Sequence, residues 1–108
     1  MKWKITYYNE TVANVLNKLP KKVVGKYLRL IDLIEEFGPN LGMPHTKAMK
    51  DGLFELRVIS GEKSARAFYC TLVNKEIVIL HIIIKKSQKT PKKELDIARE
   101  RLKEIRNA

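Results

Sequence analysis

Sulfur chemistry is nearly absent from this sequence: Cys70 is its one cysteine, so neither an internal disulfide nor a cysteine-rich zinc site is available. Histidine is almost as scarce, and His45 with His81 are too few for a convincing zinc site. No glycine-rich phosphate loop occurs and no pair of carboxylates stands out, which removes two common catalytic templates. No apolar run approaches the roughly 18 residues that span a bilayer. The opening MKWKITYYNE is charged and aromatic where a signal peptide would be apolar. These absences predict a soluble cytoplasmic protein with no membrane partner, no metal and no organic cofactor.

What the chain has in excess is positive charge. Its 108 residues carry 22 Lys and Arg against 12 Asp and Glu, a formal charge of +10. The excess divides evenly between the two halves, so it is not a detachable basic tail. A folded basic domain of this kind suits a polyanion, because neutralising phosphates releases counterions and drives association. Solubility alone is the plainer explanation of the same charge. The length is that of one compact domain, and 44% apolar residues suffice for a modest core.

Residues 3–8, WKITYY, are β-branched and aromatic and predict a first strand, closed by Asn9 as the N-cap of a helix over ETVANVLNKL. Val12, Val15, Leu16 and Leu19 share one face of it. After Pro20 a second helix carries the stripe Val23, Val24, Tyr27, Leu30, Ile31, Ile34 and Phe37, and stops at Gly38-Pro39. The two helices form a hairpin. GPNLGMP reads as a loop, and HTKAM is too short to classify. Residues 53–59, 64–73 and 77–85 then predict an antiparallel meander, with turns at Ser60–Lys63 and Asn74-Lys75. Thr90-Pro91 resembles a capped helix start, followed by Leu95, Ala98, Leu102 and Ile105 on one face. This order predicts an α+β fold: a curved antiparallel sheet with an N-terminal helical hairpin and a C-terminal helix.

Alternation along the strands puts Leu53, Glu55, Arg57 and Ile59 on one face, Arg66 with Phe68, Cys70 and Leu72, and His81 with Ile79, Ile83 and Lys85. A meander can therefore gather Arg57, Arg66, His81 and Lys85 into one basic site containing an imidazole. Each residue also has a plain reading. Glu55 and Arg57 form a surface pair, Arg66 a solvated hairpin residue, His81 a hydrogen-bonded core imidazole, and Lys85 and Lys86 a charged sheet edge that resists aggregation. Cys70 lies mid-strand without an identifiable activating site, which argues against a cysteine–histidine dyad.

The lysines at helix starts run against the helix dipole, which disfavours cations there by a few tenths to about 1 kcal/mol each. Lys92 and Lys93 fall in the first turn after Thr90-Pro91, and Lys21 and Lys22 open the second helix. Glu94 and Asp96 compensate in part. Free amide N–H groups beside lysines also make a cradle for phosphate.

Together, GLFELR (52–57), the arginine early in the next strand (Arg66) and ILHIIIKKSQKTPKKELDIARERL (79–102) resemble the HigB-type, phage-derived branch of the RelE/ParE toxin superfamily. The resemblance spans nearly the whole chain, residues 1–108, as one toxin domain of RelE-like fold. It implies a toxin of a type II toxin–antitoxin system that enters the ribosome and cuts mRNA without a metal. It further implies a cognate antitoxin, a helix-turn-helix protein of HigA type. By position, Arg57 and Arg66 would stabilise phosphate, His81 would act as acid or base, and Lys85 would hold RNA or the transition state. Lys86, Lys89, Lys92 and Lys93, with Lys47 and Lys50 ahead of the motif, would bind RNA, while Glu55 would orient Arg57. Ile82-Ile83-Ile84 stands where relatives often carry an aromatic ring, and the terminal EIRNA lacks the tyrosine of some RelE relatives. Two other classes fit the same residues: a ParE-like inhibitor of DNA gyrase, and an RNA- or ribosome-binding domain without activity.

Overall fold

The computed structural model describes residues 2–85 and 89–107. The elements are β1 (Lys4–Tyr7), α1 (Glu10–Asn14), a 3₁₀ turn (Val15–Lys18), α2 (Lys21–Phe37), β2 (Thr46–Ala48), β3 (Phe54–Ser60), β4 (Lys63–Leu72), β5 (Glu76–Lys85) and α3 (Lys92–Arg106). The α+β class and element order are those expected.

Local chemistry explains most boundaries. Asn9 is extended and its side chain accepts the Val12 N–H at 2.9 Å, opening α1. The helix expected to continue to Leu19 instead tightens into 3₁₀ geometry after Asn14, a common way for a short helix to end. Pro20 precedes α2, and Gly38 ends it at φ 99°, with its N–H bonded to the Ile34 carbonyl at 2.8 Å. Phe37, expected in the buried stripe, is 72% exposed. Here the helix stops and the Trp3 indole packs against Gly38 in its place. In the β4–β5 turn, Asn74 and Lys75 both have positive φ, as a tight hairpin requires.

The sheet runs β1-β5-β4-β3-β2. Its last three pairings are antiparallel, whereas β1 joins the far side of β5 in parallel, Ile5 beside Ile77 and Tyr7 beside Ile79. HTKAM supplies the short edge strand β2.

Phe68 pairs with His81 but Tyr69 pairs with Ile79, so Leu80 is an extra residue in β5. That bulge changes the phase of the alternation. Ile79 packs into the α2-side core, and Leu80 into the α3-side core. His81 therefore shares its face with Ile83 and Lys85 as expected, but not with Ile79.

Each face of the sheet has its own apolar cluster. On one, Val12, Leu19, Val23, Tyr27, Leu30, Ile31 and Ile34 cover Leu56, Val58, Ala67, Tyr69, Ile77, Ile79 and Ile82. On the other, Ala98 and Leu102 of α3 pack on Leu53, Phe68, Cys70, Val78 and Leu80. The far end of α3 rests on the β2–β3 turn, where Gly52 has φ 81° and a Cβ would collide with the Arg106 guanidinium. Among the described residues, no helix is long and apolar enough to cross a membrane.

Candidate functional site

On the α3 side the sheet register builds a ladder of cross-strand rows. Lys47, Glu55, Phe68 and His81 form one row; Arg57, Arg66 and Ile83 form the next; Ile59, Ser64 and Lys85 form the last. Helix α3 starts level with the first row, where Thr90 reaches Glu55 and Glu94 reaches His81, and runs away from the other two. The rows beyond its start carry the arginines and Lys85.

Glu55 is the hub. It is only 4% exposed and accepts Arg57 Nε at 3.2 Å on Oε1 and the Thr90 hydroxyl at 3.2 Å on Oε2. Arg66 Nε stands 3.8 Å from Oε2, an ion pair too long to be a hydrogen bond. Arg66 is 6% exposed, and its Nε and Nη1 are buried with no hydrogen-bond partner among the described residues. Each such unmet donor costs about 1–3 kcal/mol.

Lys85 is equally buried at 6% exposure. Burial pushes its ammonium pKa down, and the neighbouring Arg66 and Arg57 guanidinium groups add to that against the opposing pull of Glu55. Burial likewise lowers the pKa of Arg66, with Glu55 opposing and Arg57 reinforcing. Three cations thus share one carboxylate. The arrangement has formal charge for a further anion, and two guanidinium donors already stripped of water to meet it.

His81 lies one row away and is held on both ring nitrogens. Nε2 pairs with the Glu94 carboxylate, and Arg101 Nη1 approaches Nδ1 at 3.4 Å while donating to the Leu80 carbonyl at 2.8 Å. A guanidinium can only donate, so Nδ1 accepts and the ring hydrogen sits on Nε2, facing Glu94. Arg101 also stacks over the Tyr8 ring, 4.8 Å from its centroid, and Tyr8 hydrogen-bonds Glu104. The imidazole thereby ties α3 to the bulge in β5.

The expected RNA-binding lysines spread around this centre. Lys47 is exposed in the row of Glu55, and Lys50 is exposed beyond β2, its carbonyl accepting Arg99 Nη1 at 3.1 Å. Lys89, Lys92 and Lys93 are exposed on the approach to α3 and in its first turn, and Lys86 lies outside the described residues. Thr90 does not cap α3, as its sequence position suggested: its hydroxyl is committed to Glu55, and the helix start has no side-chain cap. Sequence reasoning gave Glu55 one partner, whereas it has three. The hint was the Glu55-x-Arg57 spacing, but Arg66 and Thr90 reach Glu55 only through tertiary pairing. Among the described residues, no three His, Cys, Asp or Glu side chains gather closely enough to hold a metal ion.

A comparison with curated proteins finds no match. The fold is shared with several solved structures. The chain aligns with the archaeal RelE–RelB complex from Pyrococcus horikoshii OT3 at 20% identity and a TM-score of 0.59, covering 82% of this chain and 100% of that one. Against a double arginine-to-alanine mutant of the E. coli toxin RelE in the free state, identity is 15% and TM-score 0.60, over 97% and 99% of the two chains. The YoeB–YefM complex from Staphylococcus aureus gives 20% identity and a TM-score of 0.56, over 76% of this chain and 95% of that one. Residues 14–103 match the family described as phage derived protein Gp49-like (DUF891), and the chain belongs to that family.

Proposed function

We propose that this Gp49-like protein is the toxin of a type II toxin–antitoxin pair of HigB type, and that it acts as a metal-independent endoribonuclease on mRNA engaged by the ribosome. The observation that carries the reading is Arg66: a guanidinium 6% exposed, whose Nε and Nη1 have no hydrogen-bond partner among the described residues, beside Arg57 and a buried Lys85. Structure with this charge excess suits a phosphodiester whose negative charge grows in the transition state.

In the reaction the ribose 2′-oxygen attacks the adjacent phosphorus, forming the O2′–P bond while the P–O5′ bond breaks. The products are a 2′,3′-cyclic phosphate and a 5′-hydroxyl, with no water consumed. Arg66 and Arg57 hold the non-bridging oxygens. Lys85 donates the proton taken by O5′; its disfavoured ammonium releases that proton more readily than a surface lysine would. Glu55 keeps both arginines in place. His81 serves the site by fixing the start of α3, and Lys47, Lys50, Lys86, Lys89, Lys92 and Lys93 guide the RNA strand.

Two of the similar structures are complexes, RelE with RelB and YoeB with YefM, which supports a protein partner, an antitoxin, for this chain as well. We assign it a helix-turn-helix protein of HigA type that covers the cationic end. The direct test adds purified protein to ribosomes carrying a defined mRNA, beside a folded Arg57→Ala, Arg66→Ala variant. Cleavage by the wild type and at least 100-fold less by the variant is expected. A double variant as active as the wild type would contradict the assignment.

A further inference from the structure

The nuclease reading, on which this inference rests, leaves the 2′-hydroxyl proton without an acceptor. Glu55 is committed to Arg57, Arg66 and Thr90. His81 has both ring nitrogens engaged, by Glu94 and Arg101. Lys85 is a cation whose role is to donate.

One other histidine borders the cluster through its backbone. The Arg57 N–H donates to the His45 carbonyl at 2.8 Å, and the next pair along is Thr46 with Leu56. His45 therefore stands directly across from Arg57, at the edge of the row Arg57–Arg66–Ile83. Thr46 is buried opposite Leu56, which belongs to the α2-side core. Strand alternation places Lys47 on the opposite, α3 side, and carried one residue back into the turn ahead of β2 it puts His45 there too. His45 is half-buried, and among the described residues its ring makes no hydrogen bond or ion pair.

We infer that His45 is the general base of this site, taking the 2′-hydroxyl proton as the O2′–P bond forms. The charged residues of the neighbouring rows are Lys47 on β2, Arg57 and Glu55 on β3, and Arg66 on β4. An imidazole at the margin of the cations meets the ribose while the arginines hold the phosphate. As the base it takes the proton on a ring nitrogen.

The test measures single-turnover cleavage of ribosome-bound mRNA across pH for the wild type, His45→Gln and His81→Gln, with salt-dependent RNA binding measured alongside. His45→Gln is expected to bind RNA as the wild type does, to cleave about 10²–10⁴-fold more slowly, and to lose the acid limb of the pH–rate profile. His81→Gln is expected to retain that limb, with a smaller loss of rate. If His45→Gln keeps the wild-type rate and acid limb, the inference is wrong and the nuclease reading stands. Loss of binding together with cleavage would make His45 a structural residue and overturn the assignment. A wild type that leaves mRNA intact on the ribosome removes the reading and the inference together.

Discussion

The two ends of one sheet face differ sharply. At the end under α3, Phe68, Cys70, Val78 and Leu80 bury apolar surface against Ala98 and Leu102. Past the start of the helix, β3, β4 and β5 present Arg57, Arg66 and Lys85 around Glu55. The covered end buries apolar side chains against one another, whereas at the open end two Arg66 donors meet no hydrogen-bond partner among the described residues. The first holds the fold together, and the second keeps charge ready for something from outside. Stability and function therefore segregate along the strands, and substitutions at the two ends should fail in different ways.

The largest effect is expected at the covered end. Phe68→Ala leaves a cavity in a fully buried site and should lower stability by about 3–5 kcal/mol in denaturant titration. A variant that unfolded with the wild-type midpoint would show that α3 does not anchor there. At the open end, Arg66→Met should reverse the pattern. Its stability should match or exceed that of the wild type, because a half-paired buried charge is replaced by an apolar chain. Its cleavage rate should fall about 10²–10³-fold. Destabilisation with undiminished cleavage would blur the division.

Smaller effects sharpen the boundary between the ends. Thr90→Val removes the hydroxyl that joins the start of α3 to Glu55, and should cost about 1 kcal/mol by the same titration. No change would mean that the hydrogen bond adds nothing to docking. The smallest signal is a pH dependence. The folded Lys85 ammonium has a pKa below the ordinary lysine value, so between the two the unfolded chain binds more protons than the folded one. Stability contributed by this group therefore rises with pH across that window and is lowest below it. Lys85→Met should abolish that rise, and a variant with the wild-type slope would contradict the burial of the charge.

Much of this was legible locally. Pro20 and Gly38 mark the ends of α2, Asn9 marks the start of α1, and period-2 patterning marks the three long strands. Pairing between distant segments was less legible. Nothing near β1 says that it runs parallel to β5, and the bulge at Leu80 leaves no mark on a run of Ile and Leu residues. For the site, Glu55 and Arg57 share a face by spacing alone, but Arg66 reaches them through register and Thr90 through the fold of the connection to α3. Thr90 looked like a cap because Thr-Pro is a good helix start; a buried carboxylate competed for its hydroxyl and won. His45 carried no signal beyond being one of two histidines, since its place depends on how a three-residue edge strand pairs.

The most direct test of RNA cleavage at the open end is to express the protein briefly in bacteria and map mRNA ends with their chemistry, beside Arg66→Met. Cuts within translated frames that leave 2′,3′-cyclic phosphate and 5′-hydroxyl termini, and that vanish in the variant, are expected. Growth arrest with intact mRNA would contradict the nuclease assignment and direct attention to a target such as DNA gyrase.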